Sequence, residues 1–103
     1  MVQMATHRDI TIRLPKVVAE IASAKEIIAL LTDKALSKAE YCQSRCQEME
    51  QRHRTYLADF RKKVEDSEEE IFSEWDDLIV WEGYHLGRRE WVGKYKELKN
   101  CII

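Results

Sequence analysis

The sequence predicts a mainly α-helical fold: one short N-terminal strand, then a long coiled-coil-type helix packed antiparallel on a C-terminal helix, assembled as a dimer. Three observations carry this expectation. The 103 residues include only three Gly and one Pro, too little turn chemistry for a multi-stranded sheet. Charged residues make up 35% and hydrophobic ones 45%, the mix of long helices rather than of disordered chains. Apolar residues recur at spacings of three and four from Ile28 to Val64, the pattern of a coiled-coil seam. Such a length suits one domain at most. It divides into an arm, strand and short helix over residues 1–23 and a helical hairpin over residues 24–103.

The elements follow in order. Residues 1–8 read as a polar tail. Asp9-Ile10-Thr11-Ile12-Arg13-Leu14 alternates polar and apolar side chains with period two, a strand signal. A lone strand cannot satisfy its own backbone. It needs a partner, most simply its own copy in a homodimer, and without one it is an extended arm. Pro15 suits the first position of a helix, where a missing N–H costs nothing. Val17, Val18, Ile21 and Ala22 share one face of that helix, and Ser23 or Ala24 marks a break.

The seam of the long helix reads Ile28, Leu31, Ala35, Ala39, Cys42, Cys46, Met49, His53, Tyr56, Phe60 and Val64. A helix over about residues 25–64 spans roughly 60 Å. It cannot bury its stripe alone and needs the C-terminal helix, a second copy, or both. No Gly or Pro interrupts it. Ser67 with Glu70 three residues later forms a capping-box pattern, which predicts a second helix from about residue 68 to 99. Gly83 and Gly87 share a face of it and allow either close helix approach or a kink. Asn100 to Ile103 form a short apolar tail.

The formal net charge of -2 excludes a general nucleic-acid binder. Its distribution says more. Residues 65–82 hold nine Asp or Glu and no Lys or Arg. Residues 83–103 hold five Lys or Arg against two Glu, a net of +3, and residues 1–16 hold three against one Asp, a net of +2. Asymmetry of this kind accompanies self-association or a charged partner. The longest apolar run, Ile27 to Leu31, is far too short to span a membrane. The first sixteen residues lack the apolar stretch of a signal peptide, and the three cysteines are an odd number. Together these point to a reducing, cytoplasmic setting with free thiols.

Chemistry-bearing patterns are sparse. There is no Gly-rich phosphate loop, nucleophile elbow or Ser/His/Asp arrangement, so no catalytic residue, enzyme activity or cofactor is expected. Two Glu-x-x-His pairs, Glu50/His53 and Glu82/His85, have the spacing of a di-metal helical bundle. Such a site also requires inward Glu residues from further helices, and Arg52 and Arg54 oppose a dication beside His53. No metal ligand is therefore assigned. Cys42 and Cys46 read as small apolar seam residues. The aromatic set Phe72, Trp75, Trp81, Tyr84, Trp91 and Tyr95 covers more than one side of the C-terminal helix. One side can bury against the long helix, and the other remains an apolar surface edged with acids. Trp and Tyr are enriched in binding hot spots.

The segment Ile10-Thr11-Ile12-Arg13-Leu14-Pro15-Lys16 resembles the opening of ribbon-helix-helix and related antitoxin proteins. The stretch Phe72-Ser73-Glu74-Trp75-Asp76-Asp77-Leu78-Ile79-Val80-Trp81-Glu82 is similar to acidic, Trp-rich tails of small prokaryotic proteins of antitoxin type. The first resemblance implies a strand that pairs across a dimer and presents outward side chains to the DNA major groove. Arg8, Thr11, Arg13 and Lys16 are the candidate DNA-binding residues. The second implies neutralisation of a basic toxin by Phe72, Trp75, Asp76, Asp77, Trp81 and Tyr84. Expected partners are a second copy, a basic toxin protein and operator DNA, with no membrane. The alternative is a structural coiled-coil oligomerisation protein without toxin or DNA; a di-metal helical-bundle protein is the third reading.

Overall fold

The structure, a computed structural model, describes residues 7–101. Most of the expected polar tail, and Ile102–Ile103 of the apolar tail, lie outside the described residues. Four helices follow one another: α1 Lys16–Ala19, α2 Ala24–His53, α3 Leu57–Asp66 and α4 Phe72–Lys99. The fold is mainly α, and the long helix α2 packs along the C-terminal helix α4, as the apolar spacing predicted. Their direction is antiparallel, since His53 of α2 meets Asp77 near the start of α4 while Cys42 lies beside Gly87.

The segment before α1 forms no strand among the described residues, because a single chain offers it no edge to pair with. Ile10, Ile12 and Leu14 are exposed, as are Val17 of α1 and Ile21, which with Ala22 lies past the end of α1 at Ala19 rather than on its expected face. The break falls where Ser23 stands. Its hydroxyl accepts the Glu26 backbone N–H at 3.1 Å and caps α2, worth about 1 kcal/mol.

The continuous helix expected over residues 25–64 is corrected. α2 stops at His53, and Arg54 takes a left-handed conformation with φ 53°. The reason lies in helix lengths. α2 has 30 residues and α4 has 28, so the two match. A helix unbroken to Asp66 has 43 residues and outruns α4 by about 15, or roughly 22 Å at 1.5 Å per residue. Phe60 and Val64 sit on that overhang with nothing to pack on. Turning the chain at Arg54 brings both back to α4, where Phe60 is 0% and Val64 3% exposed. The seam position Tyr56 falls in the turn and is 71% exposed. The core is the resulting cluster of Met49, Phe60, Val64, Leu78 and Trp81, with Cys46, Leu57 and Trp75 against it.

The left-handed turn has a cost that glycine avoids. An L side chain there costs about 1–2 kcal/mol, offset by about 0.5–1 kcal/mol for the extra freedom a glycine loses on folding. Arg54→Gly is therefore expected to stabilise the chain by about 0.5–1 kcal/mol, read as a higher urea midpoint with an unchanged slope. A lower midpoint contradicts the account.

The predicted capping box at Ser67 is also corrected. Ser67 Oγ donates to the Glu69 carbonyl at 2.8 Å and accepts the Glu69 N–H at 3.3 Å. The hydroxyl thus closes a local turn two residues on. α4 begins at Phe72 instead, with the Ile71 carbonyl accepting from Glu74 and Trp75. α4 then runs unbroken to Lys99 through all three glycines.

Candidate interaction surface

α4 places its residues on two faces about 100° apart per step. The inward face carries Asp77, Leu78, Trp81, Tyr84, Trp91 and Tyr95. Trp81 is 1% exposed and lies 5.5 Å from the Phe60 ring. Tyr84 meets Tyr41 of α2 edge to face, centroids 6.0 Å apart, with the Arg45 guanidinium over its ring. Trp75 packs on the core cluster. Four of the six residues expected to meet a partner are thus turned toward the chain itself.

Asp77 is the second of those departures in kind. It accepts from His53 Nε2 at 2.8 Å and from Arg52 Nη1 at 3.1 and 3.2 Å. The His53 ring stacks on Phe60 with centroids 4.1 Å apart. Desolvation pushes the Asp77 carboxyl up, but the His53 and Arg52 hydrogen bonds outweigh it and hold the carboxyl below its ordinary range. Two further acids of the 65–82 run are also engaged within the chain. Glu82 pairs with Arg61 and Glu74 with Lys63, tying α3 to α4. The acidic run is therefore in part an internal clamp.

These pairings dissolve the two Glu-x-x-His pairs. His53 serves Asp77 and Glu82 serves Arg61. Glu50 and His85, one from each pair, instead share the wall of a cavity of about 430 Å³ at the α2–α3 elbow with Cys46, Tyr56, Trp81 and Arg88. Arg88 Nε is buried there without a hydrogen-bond partner among the described residues. No three His, Cys, Asp or Glu side chains of the described residues converge as a metal ion needs. Burial pushes the Cys46 thiol up, and Cys42 and Glu50 add to it. A thiol so held is protonated at neutral pH and a poor nucleophile.

The outward face of α4 is different. Phe72 is 77%, Ile79 64% and Leu86 55% exposed, and Val80 is exposed beside them. Asp76, Gly83, Arg89 and Gly93 are exposed on or beside the same stripe. Of the sequence-derived partner set, only Phe72 and Asp76 lie here. Ile79, Val80 and Leu86 were missed, although Phe72, Ile79, Leu86 and Gly93 recur every seven residues and that spacing was legible. Two glycines on this face have no role within the chain. A Cβ at Gly83 or Gly93 meets nothing within 4 Å, whereas one at Gly87 lies 3.1 Å from Cys42 Sγ. Each glycine in a helix interior costs about 1 kcal/mol relative to Ala. Close approach within the chain accounts for Gly87 alone.

Beyond Gly93 the stripe opens into an apolar groove of about 650 Å³ between the helices, lined by Leu31, Ala35, Trp91, Gly93, Lys94 and Leu98. At the other extreme of the molecule, Arg8, Thr11, Arg13 and Lys16 are exposed. They are not brought near the acidic half of α4, because α2 lies between them, 30 residues or about 45 Å long. No helix of the described residues is long and apolar enough to cross a membrane. Comparison of the chain with family models, with curated proteins and with solved structures finds no match.

Proposed function

We propose that the chain is a non-enzymatic binding protein of antitoxin type, whose recognition surface is the outward face of α4. The observation that carries this reading is the apolar stripe Phe72, Ile79, Val80 and Leu86, uncovered by the described chain, with exposed Asp76 beside it and the exposed acids of residues 65–70 just before α4. Contiguous exposed apolar surface rimmed by charge marks a docking site. Its acidic edge speeds encounter with a basic protein, and burial of Phe72 supplies affinity. A basic toxin is the partner of that chemistry. In the same reading the arm residues Ile10 to Leu14 pair with a second copy as a strand, and Arg8, Thr11, Arg13 and Lys16 contact operator DNA.

Coexpression with the product of the neighbouring gene tests the first part. The partner is expected to copurify with the wild-type chain and to be lost from Phe72→Glu. The second part is tested by gel shift on the DNA upstream of the gene. Arg13→Ala is expected to weaken binding at every sequence and to lower the salt slope by about 1. Absence of both a copurifying partner and a shift ends the antitoxin reading.

A structural coiled-coil oligomerisation protein is the second reading, without toxin or DNA. It is favoured by apolar residues exposed on three further elements: Ile10 and Ile12 of the arm, Val17 and Ile21 at α1, and Leu30 and Leu31 of α2.

A further inference from the structure

We infer that the outward face of α4 pairs with the same face of a second copy, antiparallel, about a twofold axis passing between Glu82 and Gly83. This rests on reading that face as a recognition surface, and names its occupant. Three features of α4 agree on the register. The first is shape. With the axis there, Ile79 faces Leu86 of the second copy and Phe72 faces its Gly93. The largest exposed ring on the stripe thus meets a position with no side chain, at the mouth of the groove lined by Leu31, Trp91 and Leu98.

The second feature is charge. With Glu74, Asp77 and Glu82 paired inside the chain, residues 65–82 still carry six further acids, and residues 83–103 carry a net of +3. A parallel pairing sets acid against acid; an antiparallel one sets each acidic half against a basic half. In the register above, exposed Asp76 stands opposite exposed Arg89 of the second copy. Such complementarity fixes orientation and register in helix pairs. The third feature is the pair of glycines. Gly83 lies at the axis, where two helix backbones approach most closely, and Gly93 takes the Phe72 ring. Both are glycines that the chain itself does not require. An isologous pair of this kind contacts itself through one patch and closes, leaving no open end. It also occupies the stripe that a basic partner needs, so the two complexes exclude one another.

Sedimentation equilibrium of the full chain tests the inference, with helical content by circular dichroism as the control for folding. The wild type is expected to weigh twice the 12.2 kDa of one chain, or four times that mass where the arm strand pairs as a second interface. Asp76→Arg and Arg89→Asp alone are each expected to weaken the dimer at least tenfold, and the double variant to restore it. A loss of local structure cannot produce that rescue. A Cβ at Gly93 meets nothing within 4 Å in its own chain, so with Gly93→Leu the fold is expected to persist while the dimer is lost. A monomeric wild type overturns the inference, as does a dimer indifferent to the single reversals or a double variant that stays apart. The partner assay on Phe72→Glu keeps the two readings separate. A monomer that still captures a partner through Phe72 removes the self-pairing and leaves the recognition surface. A dimer that shows the rescue but captures nothing removes the toxin and leaves the self-pairing.

Discussion

Trp81→Ala is expected to lower the stability of the chain by about 3–5 kcal/mol, the range for truncating a buried Trp. Trp81 is 1% exposed and is the point where three helices meet. Its ring contacts Phe60 of α3, lies parallel to the His53 ring of α2 at 6.1 Å, and sits on α4 itself. A chain of this size has a total stability of about 5–15 kcal/mol. The substitution therefore removes a fifth or more of it. Urea unfolding followed by circular dichroism measures the loss, and the tryptophan fluorescence is expected to shift red, since Trp75 and Trp91 are both partly exposed. A loss below 1 kcal/mol contradicts the assignment of Trp81 as the centre of the core.

Asp77→Ala is the second large effect, expected at about 1.5–3 kcal/mol from the loss of hydrogen bonds to a charged carboxylate. The His53 side chain is 15% exposed and that of Arg52 is 56% exposed. The His53 bond therefore carries most of the effect, and Arg52→Ala is expected to cost less than about 1 kcal/mol. The same carboxylate gives a pH dependence whose sign follows from its depressed folded value. Its contribution is complete above the ordinary carboxyl value of 3.8 and is lost as the pH falls below that toward the folded value. Wild type and Asp77→Ala are expected to differ most near neutral pH and to converge in acid. Parallel stability curves across that window refute the linkage.

The outward face of α4 and the clamp at Asp77 come from the same stretch of sequence, yet they act in opposite directions. Neighbouring acids Asp76 and Asp77 differ by about 100° around the helix. One faces solvent and the other His53. Composition counts both equally as acidic surface. Helical phase separates them, and the phase was set by which of Trp75, Leu78 and Trp81 found a core to enter.

What the sequence determined by itself was the class of structure. Spacings of three and four, few glycines and one proline give long helices whose stripe from Ile28 to Met49 needs a neighbour, either the C-terminal helix or a second copy. It also marked where α2 begins, at Ser23; which face of α4 stays uncovered was left to the structure. The tertiary structure decided what depends on relative length and on who is adjacent. The seam continues through Phe60 and Val64 in the sequence, but α4 has room for only 30 residues of partner, so the chain turns at Arg54 without any glycine to announce it. The charge of Asp77, Glu74 and Glu82 was legible as a run. That it is neutralised from within depends on Arg52, Lys63 and Arg61 arriving from other helices, and a linear pattern of charge carries no record of distance.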